Sequence, residues 1–213
     1  MSSKIEVFTF NPFQENTYLI YDDSLEAIII DPGCSNTAEQ AHLTAKVREL
    51  GLKPVRLILT HAHIDHVLGN AYIYETYGLK PEMHVGEMPV LEMQPMIAGQ
   101  YGVPLKPGPI PDNFLSAGEQ LSFGNTTFDI RYTPGHSPAS LSFYNADERY
   151  AIVGDVLFMG SIGRTDLPGG DYDTLIQSIK TELMTLDDDV VVYNGHGPAT
   201  TIGHERKNNP FLN

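Results

Sequence analysis

Short runs of β-branched and aromatic residues, separated by polar breaks, open the chain at Ile5 to Phe10, Thr17 to Tyr21 and Ala27 to Ile30, and they predict three strands. The third run ends in Asp31-Pro32-Gly33, a turn signal. From Thr37 to Leu50 the apolar positions are Ala38, Ala41, Leu43, Ala45, Val47 and Leu50, a helical spacing closed by Gly51. Leu57-Ile58-Leu59 is short and wholly apolar, as in a buried strand. Helical spacing returns over Val67 to Tyr77, closed by Gly78. A short strand is expected around Met83 to Val85, before a Met- and Pro-rich stretch through Gly108. The second half repeats the alternation: strands at Gln120–Phe123, Thr127–Tyr132, Leu141–Tyr144 and Ala151–Val153, a helix over Tyr172 to Leu186, and a last strand at Val190–Tyr193. Inner strands with helices between them predict an α/β fold of two sheets with helices on their outer faces.

Composition narrows this picture. Of 213 residues, 41% are hydrophobic, and no tail, linker or low-complexity tract divides them, so one domain over residues 1–213 is expected. The formal charge of −14 argues against a nucleic-acid partner, because phosphate backbones bind clustered Lys and Arg. Cys34 is the only cysteine, which excludes an intrachain disulfide and a multi-thiolate metal site. Glu6 falls where a signal peptide needs an apolar run. No stretch reaches the roughly 18 apolar residues of a membrane span. The expectation is a cytoplasmic protein without a membrane partner, its oligomeric state open.

Chemistry concentrates in His61-x-His63-x-Asp65-His66, directly after the Leu57–Leu59 run. In extended chain His61, His63 and Asp65 share a side, because strand side chains alternate, and His66 is offset as a helix begins. Imidazole and carboxylate suit zinc or iron, so one short segment can feed two neighbouring metal centres. The competing account is a set of loop histidines with Asp65 as a helix N-cap. Clustered His and Asp beyond a buried strand have no structural need to be there, and metal binding is the stronger reading.

Further elements follow: Pro134-Gly135-His136-Ser137, Val153-Gly154-Asp155-Val156 and Asn194-Gly195-His196-Gly197, each just after an apolar strand run. With the first motif they resemble the metallo-β-lactamase superfamily from about Asn16 onward. The resemblance implies an αββα sandwich of two mixed sheets. It implies one metal held by His61, His63 and His136, a second by Asp65, His66 and His196, and Asp155 bridging the two. Two divalent ions are expected, zinc foremost, with iron or manganese as alternatives. Such a pair can share a water, make it hydroxide near neutral pH and act as a Lewis acid on a carbonyl oxygen. The family often gives the residue at the Asp65 position a catalytic part as well, orienting the nucleophile or handling a proton. His42, His84 and His204 lie outside any motif and are not expected to be ligands.

The segment Leu157 to Asp166 with Gly169-Gly170-Asp171, and the end from Gly195 to Phe211, are similar to glyoxalase II-like (hydroxyacylglutathione hydrolase-like) proteins. The implied reaction is hydrolysis of a small-molecule acyl thiol such as S-lactoylglutathione. Only 17 residues follow His196, so the expected relative is a subfamily lacking the C-terminal helical domain. Arg164 is a candidate for gripping a substrate carboxylate, with a surface ion pair as the equal alternative. Met88 to Tyr101 offers an apolar substrate wall, although core packing or a subunit contact is the favoured account. Cys34 reads as a small buried hydrophobe. The rival functions are a mono-iron persulfide dioxygenase-like enzyme using His61, His136 and Asp155, a lactonase or other metallo-hydrolase, and a non-catalytic metal-binding module.

Overall fold

The computed structural model describes residues 3–212. The chain begins as an antiparallel meander of β1 (Lys4–Phe10), β2 (Glu15–Tyr21) and β3 (Glu26–Ile30). Helix α1 (Thr37–Glu49) carries it over to β4 (Lys53–Ile58), which pairs parallel to β3 with Ile30 opposite Ile58. After α2 (Ile64–Val67) and α3 (Asn70–Tyr77) comes β5 (Pro81–Met83), then α4 (Met88–Tyr101) and β6 (Asn113–Phe114). These strands form a mixed sheet in the order β1-β2-β3-β4-β5-β6.

The second sheet is built from β7 (Gln120–Phe123), β8 (Thr126–Tyr132), β9 (Leu141–Asn145) and β10 (Tyr150–Gly154). A small hairpin of β11 (Leu157–Phe158) and β12 (Ser161–Ile162) and helix α5 (Tyr172–Ser178) lead to β13 (Val191–Asn194), β14 (Thr200–Thr201) and α6 (Ile202–Asn208). The order is β14-β13-β10-β9-β8-β7, antiparallel except for the β10–β13 pair.

Period-two alternation decides which face each side chain covers. Tyr18, Ile20, Ile28, Ile30 and Ile58 turn toward the second sheet and meet Phe128, Ile130, Phe143 and Ile152. Their neighbours Leu19, Ala27, Ile29 and Leu57 turn outward onto Leu43 and Val47 of α1 and Ile73 of α3. On the second sheet Ala151, Val153 and Val192 face Leu175, Ile179 and Ile202 from the other side. Helix, sheet, sheet, helix is the resulting order of layers.

Several boundaries differ from the sequence expectation. The helix expected over Val67 to Tyr77 is broken at Leu68–Gly69, where the Gly69 N–H leaves the helix pattern and donates to Pro32 O at 2.7 Å. Met88–Tyr101 is a helix despite Pro95 within it; proline in a helix interior removes one backbone donor and argues against the assignment from sequence. The helix expected through Leu186 is α-helical only to Ser178 and continues as one π-helical turn, Ile179–Leu183. The two-residue strands β6, β11, β12 and β14 are too short to leave a periodic signal.

Phe143 is fully buried between the sheets. Phe143→Ala is expected to cost about 3–5 kcal/mol in urea unfolding, with the m-value unchanged.

Candidate metal centre

Five strand ends deliver the polar cluster. Asp31 follows β3, the His61–His66 segment follows β4, His136 follows β8, Asp155 follows β10, and His196 follows β13. All of these strands end on one rim of the sandwich, and all seven side chains singled out in the sequence meet there. The rings of His61, His63 and His136 stand 4.6–4.9 Å apart by centroid, with His63 Nδ1 and His136 Nε2 facing each other at 2.9 Å. A second group holds Asp65, His66 and His196; His196 Nε2 is 3.1 Å and His66 Nε2 3.7 Å from Asp65 Oδ2. Asp155 faces both groups, with Oδ1 3.4 Å from His66 Nε2 and Oδ2 3.5 Å from His136 Nε2 and 3.4 Å from His196 Nε2.

Four of the five rings are turned by a partner on the far side. His136 Nδ1–H donates to Arg164 O at 2.8 Å, and His196 Nδ1–H donates to Phe13 O at 3.1 Å. Asp31 orients two more. Its Oδ2 lies 3.0 Å from His66 Nδ1 and accepts the Thr60 hydroxyl at 2.6 Å, while Thr60 Oγ1 sits 3.0 Å from His61 Nδ1. Asp31 Oδ1 accepts the Thr60 amide at 2.7 Å, so both carboxylate oxygens are engaged. Asp31 therefore acts behind the cluster rather than in it, although it lies close enough to His61 and His66 to be a ligand. Its left-handed backbone, at φ 49°, is one that Asp tolerates better than most residues.

The cluster fits divalent cations. His61 Nε2, His66 Nε2 and Asp155 Oδ1 are buried without a hydrogen-bond partner. Such orphaned groups cost roughly 1–3 kcal/mol each and are rare unless something else satisfies them. Side-chain nitrogens converge with carboxylate oxygens and no thiolate, a donor set suited to zinc, iron or manganese. Gly195 keeps the floor open, since a Cβ there would lie 2.0 Å from Asp155 Oδ1 and 2.8 Å from the His66 ring.

The electrostatics separate the two groups. Burial, reinforced by neighbouring histidines, holds His61 well below the usual range and His63 down to about 3. Burial works against protonating His66 too, but Asp65 and Asp155 outweigh it and raise its pKa strongly. His196 is raised to about 10, the bonds from Asp155 and Asp65 overcoming burial. Burial penalises Asp65 and Asp155, yet the surrounding histidines keep both below the ordinary carboxylate value.

A cavity of about 780 Å³ opens above the cluster, with His63, Asp65, His136, Asp155 and His196 in its wall. Helix α4 forms much of the rest. Met93, Met96, Ile97 and Tyr101 line it, while Met88, Val90 and Leu91 pack against Leu59, Ala62 and Val67 and Ile97 and Ala98 against Ile64 and Leu68, so the helix is both cavity wall and core. Arg164 stands at the rim, its side chain 57% exposed and its guanidinium paired with Asp166 at 2.7 and 2.8 Å. The N-cap reading of Asp65 does not hold, because His63 occupies that position and makes no side-chain cap. His42 lies edge-on to Phe8, His84 caps Gly86 N, and His204 is exposed on α6. Cys34 is buried, and burial pushes its thiol up to about 12. No sequence pattern marked Thr60, Glu87 or the Phe13 carbonyl, and Asp31 read only as a turn residue.

Two mixed sheets faced by helices, with groups of His and Asp that can hold metal at their strand ends, define a metal-binding αββα protein. Residues 10–196 match the model of the metallo-beta-lactamase superfamily, and the chain belongs to that superfamily. The hydroxyacylglutathione hydrolase GloC of Haemophilus influenzae is 41% identical over 211 residues, covering 98% of each chain. Among solved structures, the BLEG-1 B3 metallo-beta-lactamase is similar at TM-score 0.89 and 36% identity, covering 98% of this chain and 99% of that one. TTHA1623, in a di-iron-bound form, is similar at TM-score 0.88 and 38% identity, covering 97% and 100%.

Loading with metal is expected to release protons. His66 and His196 hold protons at neutral pH when metal-free, because their values are raised, and only the neutral ring can ligate. Metal affinity should therefore climb with pH through the neutral range. Zinc added to metal-free protein in a pH-stat at pH 7.5 should require added base, and His196→Ala should require less; no base uptake would contradict the assignment.

Proposed function

We propose that this chain is a metal-dependent thioesterase acting on small acyl thiols of the S-lactoylglutathione kind. The observation that carries the reading is the meeting of seven His and Asp side chains in one cluster, five of which, His63, Asp65, His136, Asp155 and His196, stand in the wall of one roomy cavity. The 41% identity to a hydroxyacylglutathione hydrolase along nearly the whole of both chains supports the thioester as substrate.

His61, His63 and His136 would hold one divalent ion, and Asp65, His66 and His196 the other, with Asp155 toward both. When bound, the pair supplies a water activated for attack on a carbonyl carbon and a Lewis acid for the developing oxyanion. The remaining work belongs to the chain. Asp65, whose carboxylate stays ionised, orients the attacking water and takes its proton on a carboxylate oxygen. Phe13, Ile97, Tyr101 and Phe158 close the walls and limit bulk water around the thioester. A thiolate is a good leaving group, its conjugate acid having a reference pKa of about 8.5, so no separate general acid is required.

Arg164 is placed to meet a substrate carboxylate at the rim. Its present partner, Asp166, forms a solvent-exposed pair, weak enough to exchange. The partner is thus a small anionic molecule, not a nucleic acid. A mono-iron reading through His61, His136 and Asp155 would leave the buried His66 Nε2 and the Asp65–His196 pair without a purpose.

Hydrolysis of S-lactoylglutathione, measured with metal counted on the same preparation, tests the proposal. Turnover is expected from the metal-loaded protein, falling to the uncatalysed rate in His63→Ala and in Asp155→Ala. Equal rates in both variants and the parent would overturn it.

A further inference from the structure

One fully buried carboxyl has no place in the mechanism above. Glu87 ends a short 3-10 turn, Val85–Glu87, directly before α4. Its Oε2 accepts the Ala62 amide at 2.9 Å, and Ala62 is the residue between His61 and His63. Its Oε1 accepts the Ala139 amide at 2.8 Å and the hydroxyl of Ser137, the residue after His136. Only N–H and O–H donors face it, and among the described residues no Lys or Arg pairs with it.

The turn that presents Glu87 is itself fixed. His84 accepts from Gly86 N at 3.1 Å, and Gly86 lies so close to the His136 loop that a Cβ would meet Ala139 Cβ at 2.7 Å. The two loops share a second tie, Leu141 N to Thr60 O at 2.8 Å, on the strand side of the histidines. Glu87 ties them at the histidines themselves.

We infer that Glu87 is a positioning residue for metal: it clamps the His61–His63 loop to the His136 loop and so sets the affinity of the three-histidine position. The inference rests on the ligand assignment proposed above. Three imidazoles brought together from segments more than seventy residues apart lose hydration before a cation arrives. A triple acceptor joined to both loops holds them in register at that stage. None of its contacts reaches the Asp65, His66 and His196 group.

Glu87→Gln makes the test specific. With its one remaining oxygen toward Ser137 and Ala139, the variant keeps two bonds and points an amide NH2 at the Ala62 N–H, donor against donor. Zinc affinities of both positions, from chelator competition, are compared in the parent, Glu87→Gln and Ser137→Ala, together with Co2+ absorption spectra and the melting temperature of the metal-free protein. Glu87→Gln should weaken one zinc by about tenfold or more, within the range seen for groups behind metal ligands, leave the other within about threefold, and alter the Co2+ spectrum. Ser137→Ala, which removes a single bond, should weaken the same zinc by less, and it carries the test if Glu87→Gln fails to fold. A lower melting temperature with both affinities and the spectrum unchanged would overturn the inference and leave Glu87 a packing residue. Parent protein that bound no zinc would overturn the ligand assignment and this inference together, whereas tight zinc binding without thioester hydrolysis would overturn only the substrate proposal.

Discussion

Asp155 stands between two groups of histidines, within 3.5 Å of ring nitrogens on both sides, and the rest of the cluster is arranged around that carboxylate. One buried oxygen of Asp155 and two buried ring nitrogens lack hydrogen-bond partners, a combination that folding alone disfavours. A pair of cations would satisfy those atoms and join the groups through a shared ligand. The sandwich exists, in this sense, to bring five strand ends to one rim. Each strand's alternation fixes which residues enter the core, and the first residues beyond it are free to carry chemistry.

The two groups are not equivalent. Two histidines of low proton affinity, His61 and His63, belong to one, so a metal there meets little competition from protons at those rings. The other mixes two histidines, both with raised values, with the carboxylate of Asp65. Sequential loading, with the three-histidine position filling first at mildly acidic pH, follows from that contrast. The groups behind the rings are divided only in part: Glu87 serves the first set, whereas Asp31 spans both, reaching His66 directly and His61 through Thr60.

Much of this was legible in the chain. A run such as Thr127–Tyr132 declares its strand because alternation has room to repeat, and the His61–His66 spacing is dense enough to mark a metal site. His136, Asp155 and His196 were readable only through their resemblance to a family pattern, since each is a lone residue beside a glycine. The structure brings them to the first motif. Asp31 looked like ordinary turn chemistry, and its hydrogen bonds to Thr60 and His66 depend on a parallel strand pairing that spacing does not report. Glu87 was invisible for the same reason, its partners lying 25, 50 and 52 residues away. Pro95 hid helix α4, and with it a cavity wall.

Anomalous X-ray diffraction from crystals loaded with zinc is the most direct measurement of the central claim. Two peaks are predicted, one among His61, His63 and His136, the other among Asp65, His66 and His196, with the Asp155 carboxylate between them. A single peak, or one seated among Asp31, His61 and His66, would contradict the account.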